Sequence, residues 1–351
     1  MTQQNVGKPI LRHPEDWRCV LWIALDFILT AAAWHYALAL GPLCSLASIL
    51  VLCYFSFAGA CITHNSLHCR TFTHPTGETL WRHALSLSYG HPSGTFVPGH
   101  NLSHHRFTQT TFDPMRTTKV NYRWNLLNAL LFQPTVAADV FKMDVRYLAL
   151  KYHIRDAYFQ ICLQEWLVLG CSQIYLLLLD PFKYLLFLYI PHVFAQWGIV
   201  CVNFLQHDGC ETDPKKAING SRNFTGPVVN FMTFGNGFHT AHHRFPAVHW
   251  SKLQGTHEEF VADKCHPALN QRCMARYIWS AFIYPGKRVN YTGEEFTPPP
   301  PGPDEDWTIK HAPDGVGLED YDVTLMDFLK VVPLLPFKLM CLTYSPQFKV
   351  D

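Results

Sequence analysis

The chain has 351 residues, with 28 Lys and Arg against 27 Asp and Glu and a formal charge of +1. Near neutrality with no basic stripe leaves no footprint for nucleic acid, and the length allows one large domain or two modest ones. Its 12 cysteines form no C-x-x-C pair and lie mostly in or beside apolar runs, which argues for reduced, buried thiols rather than a disulfide framework.

Residues 1–18 are polar and carry no signal-peptide pattern. Residues 19–40 form an apolar run broken only by Asp26 and His35, long enough for a bilayer core, which takes about 20 apolar residues per helix. Gly41-Pro42 marks a turn, and residues 42–63 form a second run without a charged residue. Together they predict a hairpin of two transmembrane helices. Residues 64–162 are polar and rich in His, Arg and aromatics. Within them, Trp124 to Tyr152 reads as an amphipathic helix that either lies on the membrane surface or packs over the site; Pro134, expected to interrupt it, favours packing. Residues 163–179 and 182–206 predict a second hairpin, turning at Asp180-Pro181.

Residues 207–351 follow, and Thr297-Pro-Pro-Pro-Pro-Gly-Pro303 reads as a stiff surface linker and nothing more. Val323 to Thr343 is apolar but contains Pro333, Pro336 and two lysines, so it is expected to lie at the membrane interface or against the domain rather than to span. The fold expected is a single all-α integral membrane domain over residues 1–351, with four transmembrane helices in two hairpins and a cytosolic helical cap. Of the 28 basic residues only Lys183 lies in a hairpin turn or run. The flanks Lys8, Arg12, Arg18, Arg70, Arg82, Lys151, Arg155, Lys215 and Lys216 agree. The positive-inside rule therefore puts both termini and residues 64–162 and 207–351 in the cytosol, as in a bacterial inner membrane or endoplasmic reticulum protein.

Each cytosolic stretch follows a hairpin and carries clustered histidines. His64-Asn-Ser-Leu-His68 closes the first hairpin, His100-Asn-Leu-Ser-His104-His105 comes next, and His207 and His239-Thr-Ala-His242-His243 follow the second. On an α-helix, His100 and His104 share a face and His105 lies about 100° further round. Neutral imidazole is a transition-metal ligand, and nine of them suit two metals with four or five nitrogens each. Iron, copper, nickel or zinc fits an all-nitrogen set better than magnesium or calcium. An ion path would need polar groups at mid-membrane, where only Asp26, His35, His192 and Gln196 approach, so a membrane metal-binding or transport protein is the weaker reading. Metals at the membrane surface can instead reach a lipid chain.

These boxes, spread over roughly residues 20–255, resemble the membrane fatty acid desaturase and hydroxylase superfamily. His104-His105-Arg-Phe-Thr-Gln-Thr-Thr-Phe-Asp113-Pro114 is similar to the HH-x7-DP run of acyl desaturases. Gly235-Asn-Gly237-Phe238-His239-Thr-Ala-His242-His243-Arg-Phe245-Pro246 is similar to their last box, and Asn203-Phe-Leu-Gln-His207 to their N-x-x-x-H element. The resemblance implies a di-iron site using dioxygen, ligated by His64, His68, His100, His104, His105, His207, His239, His242 and His243, with Asn203 reaching iron through water. It implies an oxygen-dependent desaturase acting on a fatty acyl substrate: a free acid, acyl-CoA, acyl-carrier protein or membrane lipid. Without a His-Pro-Gly-Gly haem motif, electrons come from a separate donor, ferredoxin or cytochrome b5 with its reductase. Both the first and the second box have three residues between their histidines, unlike stearoyl-CoA desaturases. That interval, and Asn203-Phe-Leu-Gln-His-Asp-Gly209, also resembles alkane hydroxylases. Hydroxylation, or oxidative decarboxylation to a terminal alkene, is therefore the alternative within the superfamily.

Four further expectations concern single residues. Asp113 either accepts the second N–H of a ligand imidazole or caps the turn before Pro114. His249 either supports the site or packs at the surface. Gly235 and Gly237 permit a close backbone approach to the site. Trp34, Trp81 and Trp197 are more simply core aromatics than the lining of an acyl tunnel.

Overall fold

The computed structural model describes residues 9–308. Val323 to Thr343 lies outside these residues. In chain order the helices are α1 (Trp17–Ala32), α2 (Pro42–His68), α3 (Pro75–Tyr89), α4 (His105–Phe107), α5 (Asn125–His153), α6 (Ala157–Leu179), α7 (Pro181–Tyr184), α8 (Ile190–His207), α9 (Pro227–Met232), α10 (His239–Arg244), α11 (Leu253–Phe260) and α12 (Met274–Ile278). The described sheet is one two-residue parallel pairing, β1 (Asn223–Phe224) with β2 (Asn270–Gln271). The protein is an all-α membrane protein, with four segments long and apolar enough to span: Pro14–Ala37, Pro42–His68, Ala157–Leu179 and Pro181–His207.

The hairpins form as the punctuation predicts. Gly41 takes φ +102°, a left-handed conformation suited to glycine, and Pro42 opens α2, where its missing N–H costs no bond. At the second turn the Asp180 side chain accepts from Lys183 N–H and Pro181 opens α7. Both turns lie at the end of the bundle away from the histidines. Toward that end Leu43, Leu46, Leu50, Ile174 and Leu178 are exposed, as side chains facing lipid are.

Small residues hold the centre. α2 packs chiefly against α8, with Ala58, Ala60 and Ala195 fully buried. A Cβ at Gly198 would come within 2.8 Å of Phe57, and one at Gly59 within 2.5 Å of the Ser88 hydroxyl. In lipid, where hydrophobicity does not drive helices together, such close approach gains dispersion contact.

The structure revises three local expectations. The second and fourth spans run on through their histidines, so His64, His68 and His207 occupy the last turns of spanning helices rather than loops beyond them. Pro134 does not break its helix: α5 is continuous from Asn125 to His153. Proline leaves the carbonyl four residues earlier without its helical donor, and here the Trp197 indole N–H donates to that Leu130 carbonyl at 3.0 Å. The proline run is surface chain but more than a linker. Arg116 donates to the Gly302 carbonyl and pairs with Asp304, while Lys119 meets Asp304 at 2.6 Å. Beyond it, Trp307 is 2% exposed, packed with Tyr147 and Val97. The 11 cysteines within the described residues are free thiols.

Candidate metal centre

α2 carries His64 and His68 one turn apart at its inner end. Asn65, between them, donates to the Phe234 carbonyl at 2.9 Å, which ties this end to the chain leading into the last box. α8 ends on His207, whose Nδ1–H donates to the Gly220 carbonyl at 2.9 Å. α10 consists of the last box itself, with His239, His242 and His243 on one and a quarter turns. Two glycines set its start. Gly235 has φ +76°, and a Cβ at Gly237 would collide with the Phe224 carbonyl. The close approach expected of these glycines is thus to β1 and to the chain before α11, and it fixes where α10 begins.

The second box departs from α-helical spacing. Pro98–His104 is π-helical, and the His105 N–H bonds to the His100 carbonyl, five residues back. The consequence is a different sorting of side chains. His105, not His104, joins His100, with their Nε2 atoms 3.0 Å apart. His104 turns instead to His207, Nε2 to Nε2 3.2 Å. An α-helical reading puts His100 and His104 on one face and misses this.

The nine histidines therefore separate into two groups, His64, His68, His100, His105 and His242 in one and His104, His207, His239 and His243 in the other. Within each, one ring nitrogen per residue lies within 4.8 Å of all the others. The groups share a wall, where the His105 and His243 rings stack at 4.3 Å. Either group could hold a metal ion: the donors converge, are neutral nitrogen, and are shielded from water. Burial, reinforced by neighbouring imidazoles, pushes His100, His105, His239, His242 and His243 well below the ordinary histidine value, so they stay unprotonated and able to donate a lone pair. His68 Nε2, buried and with no hydrogen-bond partner among the described residues, is the kind of atom a metal would satisfy.

The outer nitrogens are held as well. Asp113 is completely buried, and its Oδ2 accepts from His104 Nδ1 at 2.8 Å and from Gln109 N–H at 3.0 Å, while Oδ1 accepts from Met115 N–H at 2.9 Å. Both expected roles are thus filled by one carboxylate. Burial works to raise its pKa, but His104 and these N–H donors outweigh it and hold the group below the ordinary value. Asn65 Oδ1 lies 3.2 Å from His64 Nδ1. An acceptor on Nδ1 leaves Nε2 as the inward lone pair.

A cavity of about 410 Å³ borders both groups, touching His64, His100 and His239. Its walls are mostly apolar, among them Phe57, Val136, Phe141, Ile199 and Val200, from α2, α5 and α8. Asn203 lines it, with a buried Nδ2 that has no hydrogen-bond partner among the described residues. The amphipathic helix expected over Trp124 to Tyr152 packs over the site as α5, whose Gln133, Ala137, Val140 and Asp144 line the cavity. Which of its residues would face the cavity was not legible in the sequence. Trp166 lines this cavity, whereas Trp81 packs into the core and donates to Ser66 Oγ at 3.2 Å, and Trp34 borders a separate cavity near the hairpin turns.

His249 is not at the centre. Its Nε2 meets Asp16 at 3.0 Å and its Nδ1 meets Ser251 Oγ at 2.8 Å, while Trp250 Nε1 donates to the same Asp16 oxygen. It pins the start of α1 beside the last box. His13 stacks on it at 4.1 Å, and His13, Glu15 and His249 form a third cluster of possible ligands. Both His249 nitrogens are already engaged there.

No curated protein and no solved structure matches this chain. The profile of one family, described as Fatty acid desaturase, matches residues 40–272, a stretch that contains all three boxes, both groups of imidazoles and most of the cavity wall. Two histidine groups at the ends of paired spanning helices are the structural counterpart of that match, and the chain is an oxidoreductase of the fatty acid desaturase family, a multi-pass membrane protein of desaturase or hydroxylase type that acts on fatty acyl chains.

Proposed function

We propose that the protein is an oxygen-dependent fatty acyl desaturase that introduces a double bond into a long chain at a pair of irons. The observation that carries this reading is the shared border between two all-imidazole groups and one apolar cavity. His64, His68, His100, His105 and His242 would hold one iron, and His104, His207, His239 and His243 the other. The irons, once reduced, supply the dioxygen chemistry that removes hydrogen from an unactivated CH₂.

The chain's own residues prepare that step. The apolar cavity wall aligns a chain against the imidazoles and keeps water out. Asp113 holds the Nδ1 proton of His104, and the Gly220 carbonyl that of His207, so both present Nε2. Asn203 offers an N–H to a water or to a ligand of the metals. The substrate is an amphiphile whose head is presented at the box end: a free acid, acyl-CoA, acyl-carrier protein or lipid. The distribution of basic residues supports a cytosolic box end, in a bacterial inner membrane or the endoplasmic reticulum. Electrons come from a separate ferredoxin, or from cytochrome b5 with its reductase.

Expression with a matched reductase, followed by mass spectrometry of lipids, free acids and volatiles, tests the reading. A new monounsaturated chain with one fixed double-bond position is expected. The equal three-residue intervals in the first two boxes favour a second reading, hydroxylation or oxidative decarboxylation. New alcohols or terminal alkenes over an unchanged acyl pool would establish it instead. Metal movement without oxygen consumption would point to a transporter.

A further inference from the structure

Asp144 lies on α5, outside the spanning helices, and is 6% exposed. It lines the cavity, yet its buried Oδ1 has no hydrogen-bond partner among the described residues, and no Lys, Arg or His there pairs with it. It stands close to the metal centre. A Cβ built on Gly99, the residue before His100, would lie 3.6 Å from Oδ1. The Tyr89 side chain also lines this cavity. A wall that held only a saturated chain would be better served by leucine, since an unsatisfied buried polar group costs about 1–3 kcal/mol. Burial alone pushes the Asp144 carboxyl well above the usual carboxylate range. In that neutral form it offers both an O–H and an acceptor oxygen.

We infer that the cavity takes a long-chain molecule with an O–H at its polar end, a carboxylic acid or an alcohol, and that Asp144 hydrogen-bonds this end beside the His100 group. This rests on the acyl-substrate reading of the cavity and narrows it. On this reading the polar end enters the cavity and does not stay outside on a bulky carrier.

Binding tests this without turnover. The full-length protein, loaded with iron in nanodiscs, is titrated with hexadecanoic acid, 1-hexadecanol and hexadecane. The three arms separate an acid head, a hydroxyl and a bare chain. Asp144→Ala removes the carboxyl without overfilling the wall, and Asp144→Asn keeps a donor and an acceptor. In Asp144→Ala the acid and the alcohol should bind about 5- to 150-fold more weakly, the equivalent of one unsatisfied hydrogen-bonding group. Hexadecane should change by less than about threefold on the same scale. Comparing variant with wild type cancels the different partitioning of the probes into lipid. Asp144→Asn should restore most of the acid and alcohol binding, and iron content should stay constant in both variants. Equal effects on all three probes, or no effect on any, would overturn the role of Asp144 while leaving the acyl reading in place. Failure of all three probes to bind wild type would overturn the acyl reading and this inference together.

Discussion

Asp113 offers the sharpest test of how the second imidazole group is built. It is completely buried and accepts three hydrogen bonds, from His104 Nδ1 at 2.8 Å, Gln109 N at 3.0 Å and Met115 N at 2.9 Å. Asp113→Ala strands three buried donors at about 1–3 kcal/mol each, so about 3–9 kcal/mol is the additive ceiling. Asp113→Asn is gentler. Its amide oxygen can accept one or two of these bonds, but its NH₂ must face a donor, for a loss of about 1–3 kcal/mol. Removing the acceptor behind a ligating imidazole typically lowers metal affinity about 10- to 100-fold. Only His104 is held by Asp113, so the effect should fall on the His104, His207, His239 and His243 group and spare the other. Purified Asp113→Asn protein, challenged with a graded chelator and followed by metal analysis, should release one of two metals at about 10- to 100-fold lower chelator than wild type. Release of both metals together, or wild-type resistance, would refute the reasoning.

Three other perturbations probe different links. Deleting Leu102 removes the extra residue of the π-helical turn and leaves His100 and His105 four apart, the α-helical spacing that shares a face; both metals should be retained, and a fall in metal content by half or more would contradict the sorting described. Gly237→Ala drives a Cβ into the Phe224 carbonyl and should cost about 2–4 kcal/mol, read as a lower melting temperature with loss of metal, whereas a tolerated alanine would show that β1 can give way. The third is pH. Five imidazoles whose folded pKa lies well below 6.5 are neutral in the fold but take up protons when unfolded. Their contribution to stability is full above pH 6.5 and is lost as pH falls below it, by up to about 1.4 kcal/mol per unit per histidine. The metal-free protein should therefore melt at a steady temperature above about pH 7 and at progressively lower ones toward pH 5, and a flat profile would refute the burial argument.

Much of this molecule is legible in its sequence. Apolar runs of spanning length, Gly41-Pro42 and Asp180-Pro181 at the turns, and histidines three or four residues apart are local signals. They set two hairpins and nine candidate ligands, because membrane insertion and helix periodicity depend on near neighbours in the chain. Which imidazole joins which group is not local. It depends on the π-helical backbone of Pro98–His104, whose extra residue per turn is sustained by packing against α2 and α5, and no spacing rule for α-helices contains it. Pro134 shows the same division. The sequence marks a broken hydrogen bond, but only the arrival of Trp197 from α8 supplies the donor that lets α5 continue. Asp144, an ordinary acid on an amphipathic helix in the sequence, becomes a buried, unpartnered carboxyl only when the tertiary fold turns α5 toward the cavity. Local chemistry names the groups, and the three-dimensional packing of distant segments decides what each one faces.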